Sequence, residues 1–148
     1  MADDAIPQSV ATLLSEILIA WRASSPGGLA YWRDGMLEQL QKIAEDDADD
    51  DTFMLLAKNF EKTNVRMSRL IGKLKQAREE LSPGRIADQI DIVLNHDLFG
   101  KRKIRDRIRR IIQRHEAQGD VKSDAEAVCY AIKMLNSELE RLHRIVSG

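Results

Sequence analysis

Two stretches of the sequence place apolar residues alternately four and three positions apart, and this spacing constrains the fold more than any other feature. The first stretch covers about 52–81 and the second about 123–146. A helix with this repeat carries one apolar seam, which must pack against other helices. The seam residues are Leu56, Phe60, Thr63, Met67, Leu70, Leu74, Ala77 and Leu81 in the first stretch and Val128, Ile132, Leu135, Leu139, Leu142 and Val146 in the second. The two helices are natural packing partners, either within one chain or between two chains.

The rest of the chain also favours helices, because its 148 residues include only three prolines and eight glycines to interrupt them. Four shorter segments carry apolar residues at the i, i+3, i+4, i+7 spacing of an amphipathic helix, at about 7–23, 29–43, 82–100 and 101–118. A chain of this length fits one domain. The sequence therefore predicts an all-α fold, a single domain over 1–148 built as a bundle of about six helices.

Capping residues predict where three of the helices begin. Asp51 is placed to cap the first long helix, and Ser82, followed by Pro83, to cap the next one. Ser123 and Glu126 have the spacing of a capping box for the last helix.

Several classes of site lack the residues they need. The single cysteine, Cys129, excludes an internal disulfide and a multi-cysteine zinc site. The histidines His96, His115 and His143 stand alone, and no glycine-rich phosphate loop is present, so neither a metal nor a cofactor is predicted. Apolar runs are interrupted well before the roughly 20 residues that a membrane span needs. The first seven residues are acidic where a secretory signal would be basic, which favours a cytoplasmic location without membrane attachment.

An acidic run, EDDADDD, occupies residues 45–51. Three of its aspartates match the first three ligand positions of an EF-hand calcium loop. Thr52 then stands where the loop needs glycine, and Lys58 stands where it needs a bidentate glutamate. This mismatch excludes an EF-hand and predicts a solvated acidic connector between two helices.

Charge is unevenly distributed along the chain, although the net charge is only −1. Residues 1–52 carry three basic and eleven acidic side chains, residues 53–100 eight and six, and residues 101–148 twelve and seven. The segments therefore have net charges of −8, +2 and +5, respectively. A local surface in the last third is suited to an anionic partner.

The basic charge is concentrated in residues 101–115, KRKIRDRIRRIIQRH. On a helix, its four isoleucines share one face, which predicts a helix docked on the core with its cations held outward. Six of the eight cations are arginines, which make planar, bidentate contacts with phosphate or carboxylate. The predicted anion-binding residues are Lys101, Arg102, Lys103, Arg105, Arg107, Arg109, Arg110 and Arg114.

Four kinds of environment fit such a helix. Its cations suit the phosphate backbone of nucleic acid or an acidic protein surface, including residues 45–51 of the same chain or of a second subunit. An anionic membrane surface fits less well because the apolar stripe lacks aromatic residues. The remaining possibility is a solvated helix without a partner. We expect a non-enzymatic regulatory or assembly protein that binds nucleic acid and forms a homo-oligomer through one apolar seam; the alternative is an adaptor or inhibitor of a larger protein complex.

Two local patterns resemble known families. Residues 108–142 look like the two helices of ribbon-helix-helix repressors, although residues 100–104 do not alternate as the DNA-reading strand of that family does. Arg110 and His115 form an R-x4-H pattern that resembles the ribonuclease motif of HEPN domains. The second resemblance implies a third function, RNA cleavage, in which the arginine and the histidine handle a phosphate and its proton transfer.

Overall fold

The computed structural model of the chain describes residues 6–25, 27–99 and 103–147. Within these ranges it contains six α-helices and no strand, so the all-α prediction is confirmed. None of the helices, over the residues described, is long and apolar enough to cross a membrane. The helices are α1 (Gln8–Arg22), α2 (Leu29–Ala44), α3 (Asp50–Glu79), α4 (Arg85–Leu94), α5 (Ile104–Glu116) and α6 (Lys122–Ser147).

The acidic connector between α2 and α3 ends earlier than predicted, because Asp49, and not Asp51, caps α3. The Asp49 carboxylate accepts the backbone N–H of Thr52 at 2.9 Å, and the Thr52 hydroxyl accepts the backbone N–H of Asp49 at 3.2 Å. This reciprocal capping box satisfies two N–H groups that the helix itself leaves unpaired. Asp50 and Asp51 consequently lie in the first turn of α3, where the helix dipole favours negative charge.

The predicted starts of two other helices are also wrong by one to three residues. Helix α4 begins after Gly84, in extended backbone, so Ser82 does not cap it. Helix α6 begins at Lys122, which places Ser123 inside the helix. The carboxylate of Asp120 accepts the Lys122 N–H at 3.0 Å and supplies the acceptor expected from Ser123.

Both apolar seams are buried within the one chain. Helix α2 packs on α3 and on α6, while α1 and α4 cover more of α3 and α6, respectively. In the described part of the chain α3 and α6 do not pack along each other, because shorter helices lie between them. One hydrophobic core draws residues from all six helices. The seams therefore serve the interior of the chain, except at their last residues, Leu81 and Val146, which are only partly buried.

Helix α5 runs antiparallel to both long helices. Its first residue, Ile104, lines a groove with Met67 and Ile71 of α3, whereas His115, near its end, lies against Phe53 at the start of α3. Along α6 the order is likewise reversed, since Arg114 contacts Asp124 and Arg107 lies beside Tyr130 and Met134. This seat between α3 and α6 is what positions the basic surface.

Candidate functional site

The isoleucine stripe of α5 is buried as predicted. Ile104, Ile108 and Ile111 belong to the hydrophobic core, and Ile112 packs against its margin. Burying three such side chains contributes several kcal/mol, about 1.5–3 for each. The remaining positions of the helix are thus held on a fixed surface and do not hang from a loose segment.

Five of the predicted cations are exposed on that surface: Lys103, Arg105, Arg109, Arg110 and Arg114. Arg109 and Arg110 make no ion pair with another described residue, and Arg105 makes only a long one, 3.8 Å from its Nε to Asp106 Oδ1. Lys101 and Arg102 lie outside the described residues. The described part of α5 therefore offers three exposed arginines, Arg105, Arg109 and Arg110, that make no close ion pair within the described chain.

Arg107 and Arg114 make intramolecular contacts. Arg114 Nη1 lies 2.9 Å from Asp124 Oδ2 at the start of α6. The Arg107 side chain is only 16% exposed, and its Nη2 is 3.6 Å from Asp97 Oδ2 in the turn after α4. The Nε of Arg107 is buried without a hydrogen-bond partner in the described structure. Both side chains tie α5 to its neighbours, so they are less available to a partner than the other four cations.

The cations form two rows along α5. At about 100° per residue, Arg105 and Arg109 lie on the side of Ile112, whereas Arg110 lies with Arg107 and Arg114 on the side of α6. Asp106 projects between the rows and is exposed. A partner therefore meets two short lines of positive charge flanking one carboxylate.

The acidic run does not neutralise this surface. Among the basic residues described in α5, only His115 contacts the acidic run: its Nε2 lies 3.2 Å from Asp50 Oδ1. The arginine ion pairs of the described chain run to Asp97, Asp106 and Asp124 instead. Capping by Thr52 lowers the pKa of Asp49, chiefly through its backbone N–H. Both the acidic run and the exposed arginines remain open to solvent.

The two residues of the R-x4-H pattern do not meet on the helix. Arg110 and His115 are about 140° apart around α5. The His115 ring stacks on Phe53, with the ring centres 3.5 Å apart and the planes 8° from parallel. The arrangement supplies no shared point at which both side chains of one chain contact a phosphate.

The segment before α5 also differs from a ribbon-helix-helix repressor. Residues 95–99 form turns after α4, and Lys103 precedes the helix directly. Phe99 is buried in the core. No strand precedes α5 in the described residues, and residues 100–102 lie outside them.

A groove beside α5 was not predicted from the sequence. It has a volume of about 480 Å³ and lies between the end of α4, the Arg107 side of α5 and the middle of α6. Tyr130 and Met134 of α6 form its apolar wall and are 68% and 39% exposed. The only available signal was that both residues fall off the heptad seam of α6, which also holds for polar surface positions. Its complete lining is Asn95, His96, Asp97, Arg107, Ala127, Tyr130, Ala131 and Met134.

His96 forms the α4 end of this groove. Its Nδ1 accepts the backbone N–H of Leu98 at 3.3 Å, which favours the neutral ring. Burial lowers the pKa of His96, while the carboxylates of Asp97 and Glu138 oppose that shift and Arg107 reinforces it.

A separate group of cations lies on α3. Lys62 and Arg66 stand 5.9 and 5.5 Å from the centre of the Trp32 ring, and Tyr31 meets the same ring edge-on. Packing on aromatic faces of α2 therefore accounts for these two cations.

The described residues contain no group of three or more His, Cys, Asp or Glu side chains placed to hold a metal ion. Comparison of the chain with protein-family models, curated proteins and solved structures found no match.

Proposed function

We propose that the protein is a non-enzymatic regulatory or assembly factor whose helix α5 docks on the phosphate backbone of nucleic acid. The observation that supports this most is the state of Arg109 and Arg110, which are exposed and without an ion pair in the described structure. They extend from a helix whose opposite face is buried in the core. Because the backbone that carries these cations is already fixed, their charge is available and binding orders only their side chains.

The type of side chain favours phosphate. Arginine donates through a rigid planar fork that matches two phosphate oxygens. Arg105 and Arg109 are four residues apart, about 6 Å along the axis, so they reach neighbouring phosphates of one strand. Contacts of this kind fix position without reading sequence, so α5 binds without base specificity.

A nucleic-acid partner is consistent with the expected cytoplasmic location. We expect any homo-oligomer to form mainly through a surface other than the heptad seams, because all seam residues except Leu81 and Val146 are buried within the chain. Sedimentation velocity measured with and without nucleic acid separates binding by monomers from binding by oligomers.

The test is a salt titration of binding to a random-sequence duplex and to a single strand. Affinity is expected to fall steeply with salt, with a log–log slope of roughly −0.9 per duplex phosphate contact and −0.7 per single-strand contact. The triple reversal Arg105→Glu, Arg109→Glu and Arg110→Glu is expected to abolish binding and the salt dependence together.

The matched control reverses three other exposed arginines, Arg69, Arg141 and Arg144, and so changes the net charge by the same amount. It is expected to keep most of the affinity. Circular dichroism and thermal unfolding establish that both variants fold. Absence of binding to either nucleic acid at low salt, or equal losses in the two variants, contradicts the proposal and favours an acidic protein partner.

A further inference from the structure

We infer that the face formed by α5 and α6 binds single-stranded nucleic acid, with Tyr130 as a stacking platform for one base and the α5 arginines as phosphate contacts. This inference rests on the proposed function and gives it a substrate class. Phosphate contacts alone do not distinguish a duplex from a single strand, whereas an accessible aromatic face does.

Tyr130 lies on the same side of the molecule as part of the cationic surface. Because α5 runs antiparallel to α6, Arg114 reaches Asp124, and Arg107 reaches the level of Tyr130 and Met134. Arg110 lies between those two arginines on the same side of α5. Arg110 is thus an exposed cation without an ion pair in the described chain, and it lies three residues along α5 from Arg107, the arginine that lines the groove holding Tyr130.

The groove has the form that a stacked base requires. Tyr130 and Met134 are one helical turn apart and form an apolar ledge, with the buried Ala131 between them and the core and the exposed Ala127 beside them. The groove volume of about 480 Å³ falls within the range of roughly 300–1,000 Å³ that small-molecule sites occupy. Isolated exposed tyrosines are common on protein surfaces, but this one forms the wall of a groove whose other side carries an arginine.

The charges that line the groove favour one placement of the bases and phosphates across it. Asp97, exposed at the α4 end, repels phosphate and accepts hydrogen bonds, so it suits the polar edge of a base. The phosphates consequently follow the α5 side, along Arg110. In a duplex the bases are stacked inside and do not present a free face to a surface tyrosine, whereas in a single strand they do.

The test measures anisotropy of labelled 12-nucleotide single strands, one of DNA and one of RNA with the same sequence, and of the matching duplex. The variant Tyr130→Ala is expected to weaken binding of at least one single strand about 5- to 150-fold and to leave duplex binding unchanged. Tyr130→Phe keeps the flat ring and is expected to bind as the unmodified protein does.

Tyr31→Ala is the matched control, since Tyr31 is the other tyrosine, is exposed, and lies on α2. It is expected to bind all three ligands normally. Unchanged single-strand affinity in Tyr130→Ala, or an equal loss for single strand and duplex, overturns the inference. If the triple arginine reversal still abolishes binding in that case, the proposed function stands; if the unmodified protein binds none of the ligands, both fail.

Discussion

The indole N–H of Trp21 donates a hydrogen bond to the side-chain oxygen of Asn136 at 2.6 Å, which connects α1 to α6 across 115 positions of the sequence. Trp21 is almost completely buried, and the guanidinium of Arg33 lies 4.6 Å from the centre of its ring. The same arginine donates to the Trp21 carbonyl at 3.1 Å. Trp21 therefore fixes the position of three helices relative to one another.

Removing the Asn136 side chain, which accepts the Trp21 hydrogen bond, is expected to lower the free energy of unfolding more than removing a surface hydrogen bond does. In Asn136→Ala the buried indole N–H loses its partner, and we expect the free energy of unfolding to fall by about 1–3 kcal/mol in urea titrations. Ser137→Ala, which removes an exposed hydroxyl on the same helix, is the control and is expected to change little. A similar small change in both variants contradicts the importance of the Trp21 contact.

Two helical glycines are expected to respond differently to alanine. Alanine normally stabilises a helix interior by about 0.5–1 kcal/mol relative to glycine. At Gly72 an added β-carbon meets nothing within 4 Å, so that gain is expected in full. At Gly35 it would stand 2.9 Å from Asn59 Nδ2, which donates to the buried Gln39 at 2.6 Å. Gly35→Ala is therefore expected to give no gain, and an equal increase in melting temperature for both variants would refute this explanation.

Stability is expected to decline below neutral pH because of His96. Burial lowers its pKa below the ordinary value of 6.5, so the unfolded chain binds a proton first as the pH falls. The free energy of unfolding then decreases through pH 6.5 and levels off below the folded pKa. His96→Gln is expected to remove this decline, and His143→Gln to retain it. Carboxylates such as Glu140, whose pKa is lowered by its hydrogen bond from Arg22, act only below their ordinary value of 4.5.

Substitutions on the buried face of α5 are expected to lower stability, and those on its exposed face to weaken binding. Ile108 is fully buried, so Ile108→Ala is expected to lower the free energy of unfolding by about 2–5 kcal/mol. Arg109→Ala is expected to leave stability within about 0.5 kcal/mol and to weaken nucleic-acid binding. Urea titration and anisotropy on the same samples give both quantities. A large stability loss in Arg109→Ala would show that the arginine takes part in packing.

RNA is expected to be bound and not cleaved. His115 is covered by Phe53 and is held beside Asp50, away from Arg110. Incubation with labelled single-stranded RNA, followed by gel electrophoresis, should recover the full-length strand. Cleavage that disappears in His115→Ala would instead establish the ribonuclease alternative.

The apolar periodicity was sufficient to predict the helices, but not to predict which helices pack against each other. The two seams and the isoleucine stripe could be predicted because burial repeats with the helical turn, and all three are buried apart from the partly buried Leu81, Ile112 and Val146. The pairing of α3 with α6 was not readable, because a seam specifies an apolar neighbour without specifying which helix provides it. Here α2 takes that place between them.

Single polar contacts were harder still to predict. Arg107 and Arg109 are indistinguishable by composition, yet one is nearly buried beside Asp97 and the other is exposed. Their difference depends on the turn that brings α4 against α5. The start of α3 shows the same limit, because several adjacent aspartates offered a cap and only Asp49 has the backbone geometry to provide it.

The narrowness of the buried stripe on α5 has a consequence for how the protein can change. Only three of the thirteen positions of this helix are buried in the core. The exposed positions that make no contact with neighbouring helices are therefore free to accumulate substitutions without loss of the fold. A lineage can alter the strength of its attraction to anions, or abandon it, through single surface replacements that selection on folding does not oppose.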